Sequence, residues 1–238
     1  MFKEVSVLIP YQPDGGPRDE AFRWIRDFYG MMMPEAQLCV GELEGETFSR
    51  SRSINLAAAQ AERSVYVIAD ADIIYDPGLI MKSMEWLANG RWVIPFSYMN
   101  RLSETYSKRL LERPAEWPIQ MEVDTLPSHA AYFVGGLNVL TRDFFEKVGG
   151  YDERFIGWGG EDDAFAHSLD TLAGEHVRLE GEIIHFWHPF VGPEGNPHYA
   201  SNYKLYDRYK AAKGKMEEMG RLIGERAEKD ERKGETRP

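Results

Sequence analysis

Three features of this 238-residue chain predict an α/β fold with a mostly parallel central sheet and helices on both faces. Short apolar, β-branched runs, VSVLIP at 5–10 and VYVIA at 65–69, read as buried strands. Between them stand segments whose apolar residues recur at helical spacing, such as Ala21, Phe22, Ile25 and Phe28. The two kinds alternate through the N-terminal part of the chain, the pattern of strand–helix–strand crossovers.

In chain order, the first strand stops at Pro10, and YQPDGGP, residues 11–17, turns into a helix over 18–29. QLCVGEL is a second strand. Ser51 or Ser53 opens the next helix, which the alanines at 57–59 favour and which runs to Ala61. VYVIA ends in Asp70-Ala71-Asp72, Asp76-Pro77 restarts a helix to about residue 88, and RWVIPFSY returns as one strand. Residues 99–130 read as the variable part, with a helix at 103–111 and a proline-broken segment after it. YFVGGLNVL, 132–140, resumes strand character. TRDFFEKVGG is a short helix stopped by glycine, 162–172 is a further helix, and EIIHFWHP is the last strand. Residues 1–200 are expected to form a single domain. The remainder, 201–238, is a charged helical tail that from Lys213 reads as solvated and partly frayed.

Composition narrows the function. A hydrophobic content of 43% suits a globular core. The single cysteine, Cys39, excludes a disulfide within the chain and a four-cysteine zinc site. No stretch approaches the roughly 20 apolar residues of a spanning helix, and the first residues lack the features of a secretory signal. A cytoplasmic location is the expectation. A net charge of −11 argues against a broad electrostatic footprint on nucleic acid.

The chemistry-bearing residues fall in three places. In open α/β sheets, ligands bind beyond the carboxyl ends of the strands. Asp70 and Asp72 stand there, and residues two apart in extended chain share a face, so both carboxylates can approach one hard cation or polar ligand. Arg50 and Arg52 in FSRSRS, and Arg18 after the first strand, bring cations to the same end, a set suited to a diphosphate bridged by a metal. Farther on, His185 and His188 flank Phe186 and Trp187. Residues three apart in a regular strand face opposite ways, so both serve one metal only where the strand breaks, as Pro189 permits. Imidazole with carboxylate suits manganese better than magnesium. The third place is FIGWGGEDDAF, 155–165, where Trp158, Gly159 and Gly160 precede Glu161, Asp162 and Asp163.

The strand ending in DAD, the block YFVGGLNVLTRDFFEKVGGYDERFIGWGGEDDAF and the motif HFWHP together resemble the GT-A glycosyltransferases. The middle block is similar to the β-1,4-galactosyltransferase and related C-terminal galactosyltransferase domains. The likeness is specific over 132–190, weaker over 1–75, and absent over 97–128 and the tail. It implies a GT-A, Rossmann-like nucleotide-diphospho-sugar transferase fold. By this resemblance Asp72 and His188 are metal ligands, His185 stands where some members place a methionine ligand, and Asp70 contacts the nucleotide-sugar. FSRS matches a family FNRA, which makes Arg50 rather than Arg52 the donor contact. Pro10 and Tyr11 lie where the first strand meets the nucleotide, and Gly136 lets the donor sugar approach the backbone. Trp158 faces the acceptor sugar, Gly159 and Gly160 let it come close, and Glu161 hydrogen-bonds it. Asp162 is the catalytic base, and Asp163 supports the helix start. The family's arginine-rich first-strand motif is replaced here by PYQPDGGPR, a departure that bears on the nucleotide.

The reaction so implied is inverting transfer of a hexose or N-acetylhexosamine from a nucleotide-sugar, by expectation a UDP-sugar, to an acceptor hydroxyl. Mn²⁺ or another divalent cation would act on the leaving diphosphate. A retaining N-acetylgalactosaminyltransferase-like enzyme is the alternative within the fold, disfavoured by the second acid of EDD. A sugar nucleotidyltransferase would carry a lysine in the glycine loop after the first strand, and YQPDGGPR has none. A silent sugar-binding module would need Trp158 but not the acids and histidine together. The acceptor is a glycan, glycolipid, protein or modified nucleobase, with no stable membrane insertion. Residues 189–200, rich in proline and glycine, are expected to form a lid over the donor.

Overall fold

The structure is a computed structural model and describes residues 1–45, 47–119, 125–129, 133–190 and 192–234. Tyr132, which heads the expected strand 132–140, and the tail end 235–238 lie outside the described residues. β1 (Val5–Tyr11) leads into α1 (Pro17–Met32), whose proline sits at the helix start, where its missing N–H has no intrahelical partner to lose. β2 (Gln37–Glu42), α2 (Arg50–Gln60) and β3 (Val65–Ala69) follow. Past Asp70 and Asp72 come β4 (Ile73–Tyr75), α3 (Gly78–Leu87), β5 (Val93–Ile94), β6 (Tyr98–Leu102) and α4 (Glu104–Leu111). β7 (Thr125–His129), β8 (Leu137–Thr141) and α5 (Arg142–Lys147) lead to α6 (Glu161–Leu172). The chain then makes β9 (Val177–Arg178), β10 (Glu182–His185), α7 (Tyr199–Ala212) and α8 (Met216–Gly234).

The larger sheet has the order β2-β1-β3-β8-β5-β9. β1 is parallel to β2 and β3, and β5 to β9, while β8 runs against both its neighbours, so the sheet is mostly parallel with one reversed strand. A second sheet, β4-β10-β6-β7, carries the segment that follows the DAD turn. The expected single strand RWVIPFSY is divided between the two sheets: β5 pairs in the first and β6 in the second, on either side of Pro95. β4 escapes a reading by pattern because three fully buried residues are too short to show a period.

Local chemistry corrects the start of α2. The cap is Ser49, whose hydroxyl accepts from the Arg52 amide at 3.4 Å, rather than Ser51 or Ser53. Ser53 instead links strands to helix. Its Oγ accepts from the Tyr11 amide at 2.9 Å and donates to the Gly41 carbonyl, tying β1 and β2 to α2. Gly41 permits that approach, since a Cβ there would stand 1.7 Å from the Ser53 carbonyl oxygen.

A smaller apolar cluster gathers Phe155, Ala164, Tyr209, Ala212, Met219 and Leu222 where α7 and α8 pack on α6. The tail packs on α6 through α7 and the first turns of α8. Lys213, Lys215, Glu217, Glu218 and Arg221 are exposed, while Met219 and Leu222, three apart on one face, are buried. The expected boundary at residue 200 falls inside α7. Among the described residues, no helix is long and apolar enough to cross a membrane.

Candidate active site

A cleft of about 1680 Å³ opens at the carboxyl end of β1 and β3. Pro10, Tyr11, Arg50, Asp70, Asp72, Gly136, Trp158, Gly159, Gly160, Glu161, Asp162, His185 and His188 all line it, as do Arg18 and Asp163, whereas Arg52 does not.

One wall carries a carboxylate and two imidazoles. β10 ends at His185, so the strand breaks before His188 and both rings turn to Asp72. The Nε2 atoms of His185 and His188 lie 3.7 and 3.3 Å from the Asp72 carboxylate oxygens, and the three groups offer ligand atoms all within 4.8 Å of one another. Asp72 Oδ1 is buried without a hydrogen-bond partner, an acceptor left for something else. Burial pushes the His188 imidazole down from its ordinary value, with Arg18 and His185 adding to the shift against the pull of Asp72. His188 Nδ1 lies 3.0 Å from Arg18 Nη2 and 2.9 Å from the Pro189 carbonyl. Arg18 comes from the first turn of α1, which the Asp19 carboxylate fastens by accepting from Tyr11 Oη and from the amides of Asp14 and Gly15.

Arg50 joins this wall to the opposite one. Its side chain is nearly buried; Nε and Nη2 donate to Asp70 Oδ1 at 2.9 and 2.7 Å, and Nη1 donates to Asp162 Oδ1. Arg52, by contrast, is exposed. Burial disfavours the Arg50 charge, but Asp162 and Asp70 hold its pKa above the ordinary value. Asp162 also accepts from the Tyr151 hydroxyl at 3.2 Å. Its pKa is pushed up to about 7, first by burial and then by the neighbouring carboxylates Glu161, Asp70 and Asp163, with Arg50 opposing.

The three consecutive acids diverge. Glu161 folds back to accept from the Gly159 amide at 3.0 Å, while Asp162 faces Arg50. Asp163 is half-buried, and burial raises its pKa. Gly160, at φ 90°, ends the turn in a conformation that disfavours a side chain. The glycine that makes room for Asp162 is Gly135, where a Cβ would stand 2.1 Å from Asp162 Oδ2. Its neighbour Gly136 is needed for a φ of +94°. Trp158 remains 42% exposed and stacks on Tyr199.

Sequence reasoning missed several supports. Asn196 Nδ2 donates to the carbonyls of Ile156 and Trp158, and Asn202 Nδ2 donates to that of Ile156, pinning the turn from α7 and the segment before it. The expected lid is thus anchored at Asn196; its residue Val191 lies outside the described residues. Tyr151 and Gly135 gave no signal beyond their place in the glycine-acid block, because their use depends on Arg50 and Asp162 arriving from elsewhere.

Fold and cleft together define a GT-A glycosyltransferase fold with a carboxylate–imidazole trio beyond its central sheet. Two solved structures share that fold. GalNAc-T7 with UDP, GalNAc and Mn²⁺ aligns at TM-score 0.53 and 14% identity over 94% of this chain and 49% of that one. S. aureus TarS 1–349 in complex with UDP-GlcNAc aligns at TM-score 0.55 and 12% identity over 94% and 71%. The chain resembles the galactosyltransferases: residues 119–190 match the family described as the N-terminal domain of galactosyltransferase. Human β-1,4-galactosyltransferase 6 is 30% identical over 91 residues, 38% of this chain and 24% of that protein. The chain therefore spans about a quarter of the length of that curated relative.

Proposed function

We propose that the chain is a metal-dependent inverting glycosyltransferase that moves a hexose or N-acetylhexosamine from a nucleotide-sugar to an acceptor hydroxyl. The observation that carries this reading is the presence, in one cleft, of a cation-competent trio and a buried carboxylate poised near neutrality beside an exposed tryptophan. Two proteins of the same fold bind UDP with GalNAc and Mn²⁺, or UDP-GlcNAc, which supports a UDP-sugar donor.

The donor set of Asp72, His185 and His188 fits a borderline cation such as Mn²⁺, and the unpartnered Asp72 Oδ1 fits a ligand atom. When bound, that cation supplies positive charge that stabilises the departing diphosphate. In the His188 tautomer that would ligate through Nε2, Nδ1 would donate to the Pro189 carbonyl and no longer accept from Arg18 Nη2, leaving that end of the guanidinium to face the diphosphate while Nε stays 4.0 Å from Asp72 Oδ2. Pro10 and Tyr11 border the nucleotide end. Asp70 orients Arg50 toward the donor sugar, for which Gly136 leaves backbone access.

On the acceptor side, Trp158 offers a face, and Gly159 and Gly160 allow close approach. Asp162, steadied by Arg50 and Tyr151, takes the proton of the attacking hydroxyl, while Glu161 fixes the turn and borders the same space. One displacement by one nucleophile inverts the anomeric centre. Mass spectrometry of products from a UDP-, GDP- and dTDP-sugar panel with Mn²⁺ tests the reading, with anomeric configuration read by NMR. Metal-dependent donor hydrolysis or inverted glycoside is expected; inert donors, or a retained configuration, would sink it. The same reading assigns the reaction to the cytoplasm, which cell fractionation checks.

A further inference from the structure

The cleft is larger than a nucleotide-sugar requires: about 1680 Å³ against the roughly 300–1,000 Å³ of ordinary small-molecule sites. One side of the cleft is an aromatic run. Phe190 meets Trp158 edge-on at 5.8 Å, Trp158 stacks on Tyr199 at 6.0 Å, and the rings of Tyr203 and Tyr206 continue at steps of 6.3 and 6.1 Å. Tyr199, Tyr203 and Tyr206 recur at i, i+4 and i+7, so one face of α7 carries all three into the cleft. Phe190 is 74% exposed and Tyr203 51%, in a molecule whose other large aromatics are mostly buried. Among the described residues, none of the three tyrosine hydroxyls is hydrogen-bonded within the protein.

We infer that this run is the acceptor path and that the acceptor is a neutral oligosaccharide chain spanning several sugar rings, not a single sugar. A pyranose presents an apolar C–H face and a rim of hydroxyls, and a tyrosine matches it with an apolar face and a polar tip. An acyl or isoprenoid chain asks for an unbroken apolar wall, which the phenol hydroxyls and the Glu161 and Asp163 carboxylates that line the same cleft deny it. The inference rests on the glycosyltransferase reading and names the substrate class of that site.

A printed array of neutral oligosaccharides of graded length, with dodecyl-chain probes alongside, tests it on the whole chain. The signal should rise about 2- to 10-fold with each added ring, the worth of one stacking contact. Tyr203→Ala should lose at least one such step and Tyr203→Phe should keep it. Both variants should melt like the parent because the side chain is half in solvent. Binding independent of length, preference for the dodecyl probes, or no glycan binding by protein whose Mn²⁺-dependent donor hydrolysis is intact overturns the path. Length-dependent glycan binding without hydrolysis of any nucleotide-sugar supports the path and overturns the transferase reading. Loss of both overturns both.

Discussion

Asp162 is an acid whose ordinary ionisation is suppressed by its surroundings. Burial and three nearby carboxylates raise its pKa to about 7 despite the Arg50 contact. A general base works only when ionised, so transfer should rise with pH between 6 and 8 about that midpoint, as a profile of kcat/KM would show. Asp162→Asn should abolish transfer and leave metal-dependent donor binding in place; near-normal turnover would refute the assignment. Stability should move the other way. The raised folded-state pKa means that protonated Asp162 favours the folded state, and that contribution is lost as pH climbs through 7. Replacing it by asparagine removes the loss, so the variant should gain on wild type by about 1 kcal/mol between pH 6 and 8 in denaturant titrations, somewhat under the full linkage value because 22% of the side chain is exposed. The acids themselves were plain in GWGGEDD. Their roles were expected from the resemblance, but the Arg50 contact that sets Asp162 apart was not legible, because Arg50 stands 112 residues away in the chain.

Among the elements, α8 ties the tail to the site. Arg226 donates to the carbonyls of Val148, Gly149 and Gly150 at the end of α5, just before the segment that leads to Trp158. Its guanidinium also donates to Tyr209 Oη at 3.0 and 2.7 Å. The Tyr209 hydroxyl in turn donates to the buried Asp152 carboxylate, which Arg154 grips at 2.7 Å. Arg226→Ala should cost about 2–4 kcal/mol in urea unfolding, since it leaves buried acceptors unpaired, and should slow transfer by loosening the turn. Met219→Ala should cost a similar amount by opening a cavity beneath α8, with little effect on KM for the donor. Helices and long strands were legible because their periods run over several turns. The tail's docking was not, since an amphipathic charged helix reads alike whether or not a partner surface awaits it.

At the scale of the molecule, two sheets bring together residues that the chain keeps far apart. Asp72 follows β3, His185 ends β10 and His188 lies three residues beyond it, and β10 pairs with β4 in the second sheet. Because only the folded chain assembles this trio, Mn²⁺ should stabilise it. A hundredfold excess over Kd is worth about 2.7 kcal/mol, visible as a rise in melting temperature that Asp72→Ala should remove and a chelator should reverse. The amino-acid order alone determined the strand-and-helix alternation, the DAD turn, the histidine pair and the glycine-acid block, because each is a local pattern written within a few consecutive residues. The tertiary structure alone decided that RWVIPFSY divides between two sheets, that Ser49 caps α2, and that Gly135 makes room for Asp162. It also decided that Arg50 bridges Asp70 to Asp162 and that α7 lays three tyrosines beside Trp158. Those are contacts between distant segments, and their energies depend on which side chains packing brings within reach, a quantity that no local period encodes.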